Sequence, residues 1–286
     1  MLSTHDSKMQ IKLLERATTS SSISLDQLAG FWLNLKSDHD RDASIRSQLS
    51  RLGSIHRYQR IDGIIGDPNE ALQRGLKPGE WGCWQGWMSL LDHAAKQNTP
   101  IVHLLEDDTE LDPTIYETLQ EPIVQQSLQA GALLCTDAYI NPHQAAKLLL
   151  NLQSKGQKLE DIKGLIHSGL PCPTLNSVFL APQTASKLLD ELKNIQQGPL
   201  LKPIDLTLNQ CSAPFITTLP FLSAPCITLA SQSRIRDDVD PTTPSNRLAL
   251  TLLRRCLMRQ PNGEQMKMDL VHLLASQARE GLLKPY

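Results

Sequence analysis

The stretch Ile101-Val102-His103-Leu104-Leu105-Glu106-Asp107-Asp108 decides how this chain is read. Five residues, apolar except for His103, have the length and composition of a buried strand. They end abruptly in three carboxylates. His103 reads as a packed core histidine rather than a ligand. A strand that delivers acids at its carboxyl end is typical of open α/β sheets, whose ligands bind beyond the carboxyl ends of the strands. Adjacent carboxylates repel one another unless a positive group sits among them. Their all-oxygen donor set suits a hard cation such as Mg²⁺ or Mn²⁺, and not zinc. The plainer alternative is a solvated acidic loop before a helix N-terminus, where acids are favourable in any case. Asp112-Pro113 supplies such a helix start a few residues on.

Moving outward, Gly30-Phe31-Trp32-Leu33-Asn34-Leu35 is a second short apolar run. A helix follows at once, with Ser37 as cap and Asp38 and Asp40 at its positive end. Ile45, Leu49 and Leu52 recur on one face, and Gly53 ends the helix. Strand followed directly by amphipathic helix predicts an α/β fold. The next helix starts near Lys77-Pro78-Gly79-Glu80. Trp81, Trp84, Met88 and Leu91 fall on its core stripe, while Trp87 lies off it. Residues 132–135 and 176–180 read as strands, and Pro142 and Pro182 open helices. A short helix starts near Asp205. Residues 215–229, broken by Pro220 and Pro225, read as edge strands or extended loops.

The chain divides into three parts on this reading. Residues 1–28 are a loose N-terminal arm, and residues 29–239 form the α/β domain. Residues 240–286 form a helical C-terminal extension with helices near 246–258 and 263–281, mildly basic at Arg254, Arg255 and Arg259. That basic face reads either as solvated or as a docking surface for an acidic membrane or partner.

With 286 residues, 40% hydrophobic and 20% charged, the chain has enough apolar matter for a packed core. A net charge of -2 and 4% aromatics argue against a nucleic-acid partner. No apolar run reaches the ~18–20 residues of a membrane span, and the first residues lack the apolar stretch of a secretion signal. The expected location is the cytoplasm, with peripheral contact at the inner membrane face as an option. The 6 cysteines are scattered with no C-x-x-C pair, so neither a zinc site nor a disulfide scaffold is expected.

Several motifs, in order, resemble family 25 glycosyltransferases, the lipooligosaccharide galactosyltransferase type involved in lipopolysaccharide biosynthesis. They are Asn34-Leu35 followed by a polar run with Arg41, then Asp62-Gly63, then Gly79-Glu80-Trp81-Gly82-Cys83, then Leu105-Glu106-Asp107-Asp108. Ala185-Ser186-Lys187-Leu188-Leu189, Pro203-Ile204-Asp205 and Ser233-Arg234-Ile235 continue the series. The resemblance implies a GT-A-like nucleotide-sugar-binding domain. It implies transfer of a hexose, commonly galactose, from a UDP-sugar to a saccharide or lipid-linked acceptor, metal-assisted and with inversion.

On that resemblance Asp108 and then Glu106 are the expected ligands of Mn²⁺ or Mg²⁺, and Asp107 is expected at the ribose or sugar. Asn34, Arg41, Asp62 and Gly63 are expected around the nucleotide, with Arg41 at the diphosphate. An inverting transfer needs a base, for which Asp205 is the first candidate and Glu80 the second. As plainer roles, Asp205 suits a helix cap and Glu80 a dipole partner. One departure stands out. Where the family has Ser-His after Gly-Cys, this chain has Gly86-Trp87. Tryptophan cannot replace histidine in acid–base chemistry, although Trp87 could offer a sugar a stacking face. Two other readings remain: a non-catalytic glycosyltransferase-like binding module, and a metal-dependent phosphoesterase that adds Asp137 to the acids.

Overall fold

A computed structural model describes residues 10–13, 25–140, 142–159, 162–168, 172–226 and 251–258. The fold is α/β. Its strands are β1 (Gln10–Leu13), β2 (Leu28–Asn34), β3 (Tyr58–Asp62), β4 (Ile101–Glu106), β5 (Thr109–Leu111), β6 (Leu133–Cys135), β7 (Ala138–Tyr139), β8 (Gly164–Ser168), β9 (Cys172–Pro173), β10 (Ser177–Leu180), β11 (Phe215–Leu219) and β12 (Ser223–Pro225). The helices are α1 (His39–Arg51), α2 (Pro68–Gln73), α3 (Pro78–Ala95), α4 (Pro122–Gln129), α5 (Pro142–Ser154), α6 (Pro182–Gln196) and α7 (Ile204–Leu208).

Eight strands form one mixed sheet in the order β1-β8-β11-β6-β10-β4-β2-β3. β2 is parallel to both β3 and β4. β10 is antiparallel to both β4 and β6, so β4 and β6 run in the same direction. From β2 the chain moves to β3 on one side and then crosses to β4 on the other. That reversal of strand order falls between β2 and β4, whose carboxyl ends carry Asn34 and Glu106, and such a switch point is where open α/β sheets bind ligands.

Period-two alternation divides β4 between two cores. Val102 and Leu104 pack with Trp81, Trp84, Leu188 and Leu192 on the face covered by α3 and α6. Ile101 and Leu105 pack with Trp32, Ile45, Leu49 and Val124 on the face covered by α1 and α4. His103 is fully buried, as the sequence predicts. It is hydrogen-bonded to Tyr58 at 2.6 Å and Ser177 at 2.8 Å and stacked on Phe179. Burial holds its pKa well below the ordinary histidine value, so it is neutral.

Several expectations change. α1 is preceded by Asp38 rather than Ser37 at the cap position. Asp112 accepts from the Thr114 N–H, but the turn it introduces at Ile115–Gln120 is 3₁₀, and the α-helix waits for Pro122. β11 lies inside the sheet between β6 and β8, not at an edge, because Pro220 falls just after its last residue. The arm is not wholly loose, since Gln10–Leu13 pairs with β8 and forms the sheet margin. In the C-terminal extension, residues 251–256 are helical, and Leu253, Cys256, Leu257 and Met258 pack into a third core with Leu148, Leu152 and Phe221. The Pro-Thr-Thr-Pro-Ser stretch, Ser233-Arg234-Ile235, Arg259 and the expected helix near 263–281 lie outside the described residues.

Arg254 and Arg255 are not a solvated or membrane-facing patch. They are 4% and 8% exposed, and they pair with Asp137 and Glu110 respectively. A charge that enters a core must bring its partner with it, and these two do.

Candidate functional site

The sheet brings most of the sequence-predicted residues to one rim. Asn34 ends β2, and Asp62 pairs with it in register at the end of β3. The Gly63 N–H donates to the Asn34 carbonyl at 2.7 Å, fixing the β3 exit against the β2 exit. Glu106 ends β4, and its N–H donates to the Asn176 carbonyl at 2.9 Å. Asp107 and Asp108 make the turn into β5.

Asn34, 1% exposed, donates through Nδ2 to the Asp38 carbonyl at 3.1 Å and to Asp107 Oδ2 at 2.9 Å. Its Oδ1 is buried with no partner among the described residues. Arg41 donates to Asp107 Oδ1 at 2.9 Å and stands 3.5 Å from Asp108 Oδ2. Burial works against the Arg41 charge, but Asp108 and Asp107 outweigh it and raise its pKa. Asp107 thus lies between an amide and a guanidinium. Its own pKa is nevertheless raised, by burial first, with Arg41 opposing and Asp108 adding. Asp107 and Arg41 are thus paired with each other at the rim. Asp62 sits further out, paired with Arg60 at 2.7 Å and 61% exposed at its side chain.

Glu106 is the most perturbed acid of the rim. Its pKa is pushed up to about 8, by burial first and then by Asp108, while a hydrogen bond from Trp87 pulls the other way. The Trp87 indole donates to Glu106 Oε1 at 3.1 Å, and the residue is 1% exposed. Trp87 therefore offers no stacking face to a sugar. It is a core residue that holds one of the acids. The departure at Gly86-Trp87 has a steric side as well: a Cβ on Gly86 would meet Leu33 Cδ2 at 2.6 Å, so a serine there would require the Leu33 side chain to shift. The neighbouring Gly82 is more firmly constrained, since a Cβ there would lie 2.3 Å from the backbone carbonyl oxygen of Ile64. That contact accounts for glycine in Gly79-Glu80-Trp81-Gly82-Cys83.

Asp205 reaches the same region from the far end of the chain. Trp84 Nε1 donates to the Lys202 carbonyl at 2.8 Å, which pins the approach to α7 against α3. Asp205 is the second residue of α7 rather than its cap, and its Oδ1 accepts from the Leu206 N–H at 2.9 Å. Cys83, between these elements, records the convergence. Its thiol pKa is raised well above the ordinary value, by burial first and then by Glu106, Asp205, Asp108 and Glu80. Glu80 is engaged by its own helix, accepting from the Lys77 N–H at 2.9 Å. Asp137 is not a further ligand at this rim. It is fully buried and taken up by Thr174 and Arg254.

Among the described residues no three His, Cys, Asp or Glu side chains form a group that could hold a metal ion. Two carboxylates, Asp108 and Glu106, do suit a hard cation that takes its remaining ligands from substrate phosphate and water. The donor chemistry favours this: burial and its acidic neighbours keep Glu106 well above the ordinary carboxylate range, and a divalent charge beside it would offset that repulsion. Sequence reasoning missed Asn34 and Trp87 as the supports of the acids, and Arg254 as part of this side of the molecule. No helix among the described residues is long and apolar enough to cross a membrane. No protein-family model matches the chain, and no curated protein is significantly similar to it.

Proposed function

We propose that the chain is a glycosyltransferase that moves a hexose, galactose first among the candidates, from a UDP-sugar to a saccharide or lipid-linked acceptor with inversion. The observation that carries this reading is the acidic rim at the strand-order reversal. Glu106, Asp107 and Asp108 leave β4 together there, braced by Asn34, Arg41 and Trp87. A GT-A-like assignment of the α/β domain is part of the proposal.

Asp108 and Glu106 would hold Mn²⁺ or Mg²⁺, which when bound supplies positive charge for a departing diphosphate. Arg41 brings a second positive charge to the same side, already aligned by Asp107. Asp205 would accept the proton of the acceptor hydroxyl, since its charge bears on the same buried Cys83 thiol as those of Glu106 and Asp108. Glu80, tied to its helix start, is the weaker base. Asp62 and Gly63, at the outer end of the rim, would meet the nucleoside.

The test is Asp205→Asn assayed with UDP-hexoses and an acceptor panel in Mn²⁺. Turnover should fall at least a hundredfold, with UDP affinity unchanged; undiminished turnover would remove Asp205 from the mechanism. A second reading, a binding module without transfer, is favoured by Trp87 standing where the resemblance puts a histidine. Mn²⁺-dependent UDP binding with no transfer to any acceptor would select it.

A further inference from the structure

β4 and β6 both run antiparallel to β10, so their carboxyl ends leave the sheet at the same rim. β4 ends in the acids. β6 continues through Thr136 and Asp137 to Tyr139 on β7. From β3 to β6 the rim spans four strand spacings, about 19 Å. That is enough for an extended nucleotide sugar with its nucleoside at the Asp62 end and its hexose toward β6.

The β6 end holds the one aromatic side chain among the described residues that is more than a third exposed. Tyr139 is 40% exposed, whereas every tryptophan is at most 3% exposed. The Arg254 guanidinium carbon lies 5.3 Å from the Tyr139 ring centroid, and Arg254 is itself buried and paired with Asp137. The ring is therefore backed by a cation on its inner side and presents the remainder to solvent. Tyr139 lies four residues beyond the end of β6, on the continuation of that strand past the rim. Asn176, in the strand entry between the Glu106 and Asp137 ends, is 7% exposed and has an Nδ2 with no partner among the described residues.

We infer that Tyr139, backed by Arg254, is the platform on which the transferred hexose stacks, with Asn176 donating to one of its hydroxyls. This rests on the nucleotide-sugar reading above. The chemistry is complementary. A hexose has one face of C–H groups carrying slight positive charge, and an aromatic ring has a negative face. Its hydroxyl rim needs fixed polar groups, which an unpaired buried amide supplies.

The experiment is calorimetric titration of the full chain in Mn²⁺ with UDP and with UDP-galactose, using wild type, Tyr139→Phe and Tyr139→Leu. The phenylalanine variant should keep both affinities within about twofold, because the ring carries the effect. The leucine variant should lose roughly fivefold in UDP-galactose affinity with UDP unchanged, and that unchanged UDP binding reports an intact fold. Equal loss of both ligands, or loss of neither, overturns the platform. Failure of the wild type to bind UDP at all overturns the nucleotide-sugar reading itself, and is told apart by that result.

Discussion

Replacing Glu106 with glutamine should make the protein more stable in alkaline buffer and blind to the metal. The glutamine amide oxygen can still accept from Trp87, so the change removes a charge and little else. In the folded protein the Glu106 pKa is raised from the ordinary 4.5 to about 8. Below the lower value both folded and unfolded chains carry the proton, and Glu106 has no effect on stability. Between the two values the folded chain binds more protons than the unfolded one. Stability therefore falls as pH rises, by up to about 1.4 kcal/mol per unit while Glu106 dominates. Across the window the wild type should lose on the order of a few kcal/mol that Glu106→Gln keeps. Urea unfolding in chelator at pH 5.5 and pH 8 measures this directly. Adding Mn²⁺ at pH 8 should return much of the difference to the wild type and little to the variant. Parallel pH profiles for the two proteins would refute the claim that the folded chain raises the Glu106 pKa.

Arg41→Ala should lower UDP affinity roughly tenfold, the loss of charge-assisted hydrogen bonds to a diphosphate, in the same titration. It should also lower the melting temperature, because Asp107 keeps only its amide partner. Trp87→Phe removes the hydrogen bond that lowers the Glu106 pKa, so the pH at which Mn²⁺ begins to raise the melting temperature should move upward. An unmoved midpoint would separate Trp87 from the acids. Arg254→Ala strips the cation from a fully buried Asp137 and should cost about 3–5 kcal/mol in urea unfolding. Arg255→Ala should cost well under half of that, since its partner Glu110 is 34% exposed and screened by water.

The strands were legible because their burial is local: an apolar run such as 101–105 has to be covered on both faces wherever it lies. The acids at its end were legible for the same reason. Trp87 misleads because a helical stripe assumes one buried face. α3 packs against both the sheet and α6, so Trp81, Trp84 and Trp87 are all enclosed, and position off the stripe says nothing about solvent. Arg254 and Arg255 mislead because a charge reads as surface until its partner is known, and their partners lie 117 and 145 residues away. The grip of Asn34 on Asp107 spans 73 residues and is equally silent in local pattern. What the sequence carried was the placement of the acids; what it could not carry was who holds them.

The docking of residues 251–258 has a bearing on how the chain matures. A growing polypeptide finishes β2, β3 and β4 more than a hundred residues before Arg254 exists, and until then Asp137 lacks its counter-charge. Closing so long a loop is slow relative to pairing neighbouring strands. The segment made so long after its partners is thus the clasp that seats Tyr139 and Glu110, and ribosome-stalled chains stopped short of it should be far more open to protease around 137–139 than the full chain.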